Sequence, residues 1–123
     1  MKPLVLVVDD DPDMLILLND LLTHEGYRVV TAQSGSQAMI ALGEQKPQAM
    51  VLDIMMADRN GVEVLELIRW NPQYTELPVV CISAMQISSQ SREFLENFAQ
   101  GIVDKAHLED LLLKLQQLLP AHQ

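Results

Sequence analysis

Cysteine is almost absent from the 123 residues: Cys81 is the only one. It cannot form an intrachain disulfide, and its place within Pro78-Val79-Val80-Cys81-Ile82 marks it as small core filler. Basic residues are scarce too. Lys and Arg number 8 against 17 Asp and Glu, a net charge of −9. Contact with phosphate backbones needs a basic surface, so direct nucleic-acid binding is not expected. Long apolar runs are also missing. The longest, Leu4 to Val8 and Met14 to Leu18 among them, have five residues, far short of a membrane span. The first is short for a signal-peptide core and is followed directly by acids, so a cytoplasmic location is expected. There is no internal repeat, low-complexity tract or linker. What the chain does have is 49% hydrophobic and 20% charged residues. That composition predicts one folded domain over residues 1–123 with a sizeable core.

The stretch Ala49-Met50-Val51-Leu52-Asp53-Ile54-Met55-Met56 organises the rest. It is too short for a helix and rich in Val, Leu and Ile, as expected of a strand buried on both faces. Burying an unpaired carboxylate costs several kcal/mol or more, so Asp53 belongs where the strand leaves the sheet. Leu4 to Val8 is the purest strand signal. Asp11 as N-cap with Pro12 at the first helical position starts a helix to about Glu25. Its Met14, Leu15, Leu17, Leu18, Leu21 and Leu22 recur at helical spacing, and Gly26 is placed to end it.

Tyr27 to Thr31 is a weaker strand. Ser34 and Gln37 form a capping box for a helix to about Lys46, which Pro47 stops. Asn60 can cap a helix ending near Trp70-Asn71-Pro72, with Trp70 packing at the helix end. Val79 to Ile82 is a fourth strand, and Pro78 stands where a missing N–H is tolerated. Ser88 or Ser89 starts a helix with Phe94, Leu95 and Phe98 on one face. Gly101 to Val103 is a short fifth strand. Leu108, Leu111, Leu112, Leu115, Leu118 and Leu119 make a last amphipathic helix, a stripe that core packing explains first. Strict βα alternation with short connections predicts an α/β fold: a doubly wound, flavodoxin-like, five-stranded parallel sheet with helices on both faces. The common strand order for five strands is 2-1-3-4-5, with its switch point between strands one and three.

The residues just past the strands form one set. Strand one leads to Asp9 and Asp10, strand three to Asp53, strand four to Ser83 and strand five to Lys105. Strand two, at the sheet edge, offers only Thr31. Strands one and three are neighbours about 4.8 Å apart, so Asp9, Asp10 and Asp53 can converge. Two such charges about 4 Å apart repel by roughly 4 kcal/mol at an effective dielectric near 20. A hard divalent cation resolves this. Few protein oxygens, with room for water and a phosphoryl group, suit Mg²⁺ better than Ca²⁺, and the lack of His or Cys ligands argues against zinc. A carboxylate, a cation, a lysine and a hydroxyl around one point are the parts phosphoryl transfer needs. Asp53 can attack phosphorus in line, Lys105 and the metal offset charge on the phosphoryl oxygens, and Ser83 donates a hydrogen bond to one of them.

Val7-Val8-Asp9-Asp10, Asp53 with Gly61 eight residues on, Ser83 thirty residues after Asp53, and the late Lys105 together resemble a response-regulator receiver domain of the CheY-like family. The resemblance covers essentially the whole chain. It implies that a partner histidine kinase or phosphotransfer domain donates its phosphoryl group to Asp53. It also implies that Asp10, Asp53 and the carbonyl of Met55 bind Mg²⁺ directly and that Asp9 helps through water. Further, phosphorylation would move Ser83 and reshape the face around helix four, strand five and helix five. A downstream output protein or domain, and dimerisation on phosphorylation, are implied as well.

Three positions depart from the family pattern. Ala57 and Ala106 stand where receivers usually carry Pro, which loosens those loops. Ile102 replaces an aromatic residue that swings with the Ser or Thr, which puts the usual output mechanism in question. Met55 and Met85 stand two residues beyond Asp53 and Ser83. In this family those positions border the phosphoryl group, and two bulky apolar side chains there would hinder the attacking water and lengthen the phosphorylated lifetime.

Each residue alone has a plainer reading. Asp9, Asp10 and Asp11 could be a solvated turn with a cap, Lys105 a surface lysine, Ser83 nothing in particular. His24, His107 and His122 read as surface residues. A pseudo-receiver, a binding module without phosphorylation, is the first alternative, and the intact Asp, Ser and Lys set argues against it. A haloacid-dehalogenase-type phosphatase could use Asp9-Asp10-Asp11 as Asp-x-Asp. It needs a later acidic motif on a strand end, but only Glu109 and Asp110 follow, inside the last helix, and Asp53 is left unexplained. A flavodoxin would need a Ser/Thr/Gly-rich loop after strand one.

Overall fold

The computed structural model describes residues 2–56, 60–84 and 87–119. Five strands alternate with five helices: β1 Leu4–Val8, α1 Pro12–His24, β2 Arg28–Ala32, α2 Gly35–Gln45, β3 Ala49–Asp53, α3 Gly61–Trp70, β4 Val79–Ser83, α4 Ser89–Phe98, β5 Gly101–Asp104 and α5 Leu108–Leu118. All strand pairs are parallel, and the order is β2-β1-β3-β4-β5, as the alternation predicts.

The strands read as unbroken apolar runs because the sheet has a core on each face. Leu6, Val8, Met50, Leu52, Val79 and Cys81 join Leu42, Val64, Leu65, Ile68 and Leu95 from α2, α3 and α4. Their alternate neighbours Val5, Val7, Ala49, Val51, Val80 and Ile82 join Leu15, Leu18, Leu22, Leu111 and Leu115 from α1 and α5. Successive side chains point to opposite faces, so a strand covered on both sides must be apolar at every position. Cys81 is fully buried filler, as its context predicts. Truncating a buried leucine such as Leu52 to Ala would cost about 2–5 kcal/mol.

The helix ends follow local chemistry. The Asp11 carboxylate accepts from Asp13 N at 3.0 Å with Pro12 at the first helical position, and Gly26 follows with φ 98°. Ser34 Oγ accepts from Gln37 N at 3.1 Å. Gln37 Oε1 reaches one residue further back than a capping box requires, to Gln33 N at 2.8 Å. Asn60 caps α3 through Val62 N at 2.8 Å, and Ser88, not Ser89, caps α4 through Ser91 N at 3.2 Å.

Some expectations shift. β3 stops at Asp53, three residues before Met56. A 3-10 turn at Pro72–Tyr74 has no counterpart in the sequence reading. Of the apolar residues of α4, Leu95 is buried, Phe94 is half-buried and Phe98 is exposed. Trp70 does end α3, but it does not pack: it is 78% exposed. Among the described residues, no helix is long and apolar enough to cross a membrane.

Candidate phosphoacceptor site

Parallel pairing carries the C-terminal ends of β1, β3, β4 and β5 to one edge of the sheet. Asp9 continues β1 by one residue, its N–H donating to Ala32 O at 3.1 Å. Asp53 is the last residue of β3, Ser83 the last of β4, and Lys105 directly follows β5. Lys105 N donates to Ser83 O at 3.0 Å, which locks the start of the β5–α5 loop onto the end of β4.

The side chains converge. Carboxylate oxygens of Asp9, Asp10 and Asp53 lie within 4.8 Å of one another. Lys105 Nζ stands 2.8 Å from Asp9 Oδ2 and 3.4 Å from Asp53 Oδ2. Asp9 Oδ1 accepts from Asp11 N at 2.9 Å, and Asp53 Oδ1 accepts from Met55 N at 3.1 Å. Asp9, Asp53 and Ser83 are buried, whereas Asp10 is half-buried. Asp53 therefore sits at the strand end as expected, yet it is almost wholly covered.

Burial pushes the Asp53 carboxyl up to about 6, the Met55 N–H opposes this, Asp9 adds to it, and Lys105 opposes it. Burial works against the Lys105 ammonium, but Asp9 and Asp53 outweigh it and hold its pKa above the ordinary value. The three carboxylates lie together on this edge, and the Lys105 ammonium pairs with two of them, Asp9 and Asp53. The donors are all oxygen, which fits a hard divalent cation.

Gly61 is a structural requirement that its spacing from Asp53 only hinted at. Its N–H donates to Ile54 O at 2.9 Å. A Cβ there would meet the Asp53 carbonyl oxygen and would lie 2.6 Å from Ile54 Cα. Only glycine lets α3 begin this close to the strand that carries Asp53.

Ser83 also borders a cleft of about 490 Å³ shared with Ile87, Arg92, Ile102, Asp104 and Asp110. Ile102 is half-buried against the core. Ala106 is not left loose: its N–H donates to Asp104 Oδ1 at 2.8 Å, a bond proline could not make. Ala57 and Met85 lie outside the described residues, as does His122. Met55 is 54% exposed beside Asp53. Thr31 is exposed and belongs to a separate shallow cleft with Pro12 and Leu15, so strand two holds the Asp9 backbone through Ala32 O but Thr31 adds no side chain to the site. Glu109 and Asp110 fall in the first turn of α5, which leaves the phosphatase alternative without its second acidic strand end.

A five-stranded 2-1-3-4-5 sheet with an acidic cluster and a lysine at its carboxyl edge defines a class of phosphorylation-linked signalling domain. The profile of the response regulator receiver domain matches residues 5–116, and the chain belongs to that family. It is 35% identical over 114 residues to the transcriptional regulatory protein KdpE of Mycobacterium tuberculosis, covering 92% of this chain and 49% of that protein. The chain thus spans about half the length of the curated relatives it matches. Among solved structures, Vibrio cholerae chemotaxis protein CheY4 superposes with a TM-score of 0.88 at 26% identity, over 97% of this chain and 100% of that one. Thermotoga maritima response regulator TrrA, solved with Mg²⁺ and BeF, gives 0.83 at 31% identity over 97% and 100%. The chain is accordingly a receiver domain of the two-component type, a signalling domain.

Proposed function

We propose that Asp53 is the phosphoacceptor of this receiver and takes its phosphoryl group from a phosphohistidine on a partner kinase or phosphotransfer protein. The observation that carries the reading is the Lys105 ammonium, shared between Asp9 and Asp53 in a buried cluster with a third carboxylate. An Asp53 carboxylate oxygen forms the new O–P bond as the N–P bond to the donor imidazole breaks, and the released imidazole takes up a proton. The Met55 N–H keeps the Asp53 carboxylate oriented during attack. Lys105 follows the negative charge from the carboxylate to the phosphoryl oxygens, and Ser83 donates its hydroxyl to one of them. Asp10, Asp53 and the Met55 carbonyl would hold magnesium, with Asp9 acting through water. Bound there, the ion neutralises charge on the phosphoryl oxygens.

The reading covers the chain as one receiver unit over residues 1–123, working in the cytoplasm. It has no catalysis beyond its own phosphorylation and dephosphorylation, and no direct contact with nucleic acid or membrane. The names of the similar transcriptional regulators support an output domain or protein downstream, with dimerisation on phosphorylation as one route to it. Ile102 in place of an aromatic residue points to an output step that does not rely on a swinging ring. Beryllofluoride binding with Mg²⁺, followed by ¹⁹F NMR, tests the site. Slow-exchange bound fluoride signals in the wild type, lost in Asp53→Asn, support the reading; none in the wild type would return the pseudo-receiver.

A further inference from the structure

We infer that the groove between α3 and α4 docks a basic, apolar segment of a protein partner. Glu66, Arg69, Trp70, Phe94 and Phe98 line a cavity of about 60 Å³ there. That is room for on the order of four water positions, or one branched aliphatic side chain. Phe94 and Phe98 stack at 4.7 Å, while Trp70 is 78% and Phe98 44% exposed. Most of a tryptophan left in water at a helix end is an unusual use of apolar surface and marks a contact site.

Charge selects the occupant. Among the described residues Arg69 is the one cation lining the groove, and its donors are engaged: Nε to Phe98 O at 2.8 Å, and two further nitrogens to Tyr74 O and Gln100 Oε1 at 3.0 Å each. Glu66 lines the groove with its carboxylate exposed, Glu63 lies one turn earlier on α3, and Glu93 directly precedes Phe94. Arg92, the cation of α4, belongs to the clefts on the β5 side of that helix. An aromatic groove with an acidic rim fits apolar side chains flanked by Lys or Arg. A second copy of this chain would bring the same carboxylates, and the chain's net charge of −9, to an isologous contact.

Position keeps a docked partner clear of the acidic edge. α3 starts at Gly61, against β3, and Trp70 ends it, roughly 14 Å away by helical rise. A partner held there would leave the acidic edge open.

The test uses two fifteen-residue amphipathic probes, one of Leu and Lys, the other of Leu and Glu in the same order. Trp70 is the only tryptophan, so its emission reports the groove directly. The Leu/Lys peptide is expected to shift that emission to the blue and to perturb amides of α3 and α4. Binding should weaken at least threefold between low and physiological salt, and the Leu/Glu peptide should do neither. By calorimetry, Trp70→Ala and Phe98→Ser should each weaken binding about tenfold, the size of a buried aromatic anchor. Ile40→Ser and Leu113→Ser, on exposed sites of other helices, should not. Glu63→Lys with Glu66→Lys should reverse the peptide preference. Asp53→Asn should bind as the wild type does, so this outcome is separate from that of the phosphoacceptor reading. Equal response to both peptides, perturbation mapped to α1 or α5, or indifference to Trp70→Ala would overturn the proposal. So would a blue shift on concentrating the protein alone, which would assign the groove to self-association.

Discussion

Asp53→Asn should stabilise this protein at neutral pH when divalent metal is chelated, although it removes the residue on which the site centres. Burial is the dominant cause of the raised Asp53 pKa, about 6 against an ordinary 3.8. The difference of roughly two units, at 1.36 kcal/mol each, corresponds to about 3 kcal/mol. Between those values the folded protein binds more protons than the unfolded chain, so the stability of the fold falls as pH rises. The favourable contribution of the protonated carboxyl is fully present below about pH 4 and lost as pH rises through about 6. An asparagine keeps an oxygen for the Met55 N–H and carries no charge to bury. It forgoes the Lys105 attraction, already included in the raised value, so a gain of about 1–3 kcal/mol is expected at pH 7.5. Urea unfolding of both proteins at pH 7.5 and pH 4.5 in chelator reads this directly. The gain should shrink by more than half at the lower pH. A variant less stable than wild type at both pH values would refute the reasoning, because Lys105 would then more than compensate for the burial.

Other outcomes follow from the same geometry. Magnesium at ten times its dissociation constant should stabilise the wild type by about 1.4 kcal/mol in the same unfolding assay, and should do nothing for Asp53→Asn. Gly61→Ala forces its Cβ against the Asp53 carbonyl and Ile54. It should cost about 1–3 kcal/mol in urea and slow acetyl-phosphate labelling, whereas Gly43→Ala, with open space around it, should be neutral or stabilising. Arg69→Met removes bonds to two carbonyls and to Gln100, whose Oε1 also accepts from Val79 N at 2.7 Å. It should lower stability by about 2 kcal/mol without changing the labelled residue. Met55→Asn with Met85→Glu should shorten the phosphorylated half-life, measured by loss of the added mass. An unchanged half-life would count against the shielding of phosphorus from water.

The fold was legible because periodicity alone carried it. Strands that must be apolar on both faces stand out between helices that show one stripe each, and caps such as Asp11-Pro12, Ser34 and Asn60 placed helix starts within a residue. The acidic cluster was legible because parallel pairing puts the strand ends on one edge, where Asp9, Asp10, Asp53 and Lys105 come together and Ser83 ends the neighbouring β4. What stayed hidden depends on tertiary contacts between distant residues. Arg69 carries no local signal of its role, yet it ties α3 to the ends of α4 and the 3-10 turn. Trp70 looked like packing because tryptophan usually is buried on average, and nothing local reveals that most of it stays exposed. The Ala106 N–H bond to Asp104 was equally invisible, since the sequence shows the missing proline but not the acceptor that replaces its rigidity.

The most direct measurement is intact mass after incubation with Mg²⁺ and acetyl phosphate, on wild type and on Asp53→Asn. The account predicts a gain of one phosphoryl group in the wild type, absent from the variant and absent when Mg²⁺ is chelated. A gain that persists in Asp53→Asn would move the acceptor elsewhere. No gain in the folded wild type would contradict the claim that this acidic edge is built for phosphoryl transfer.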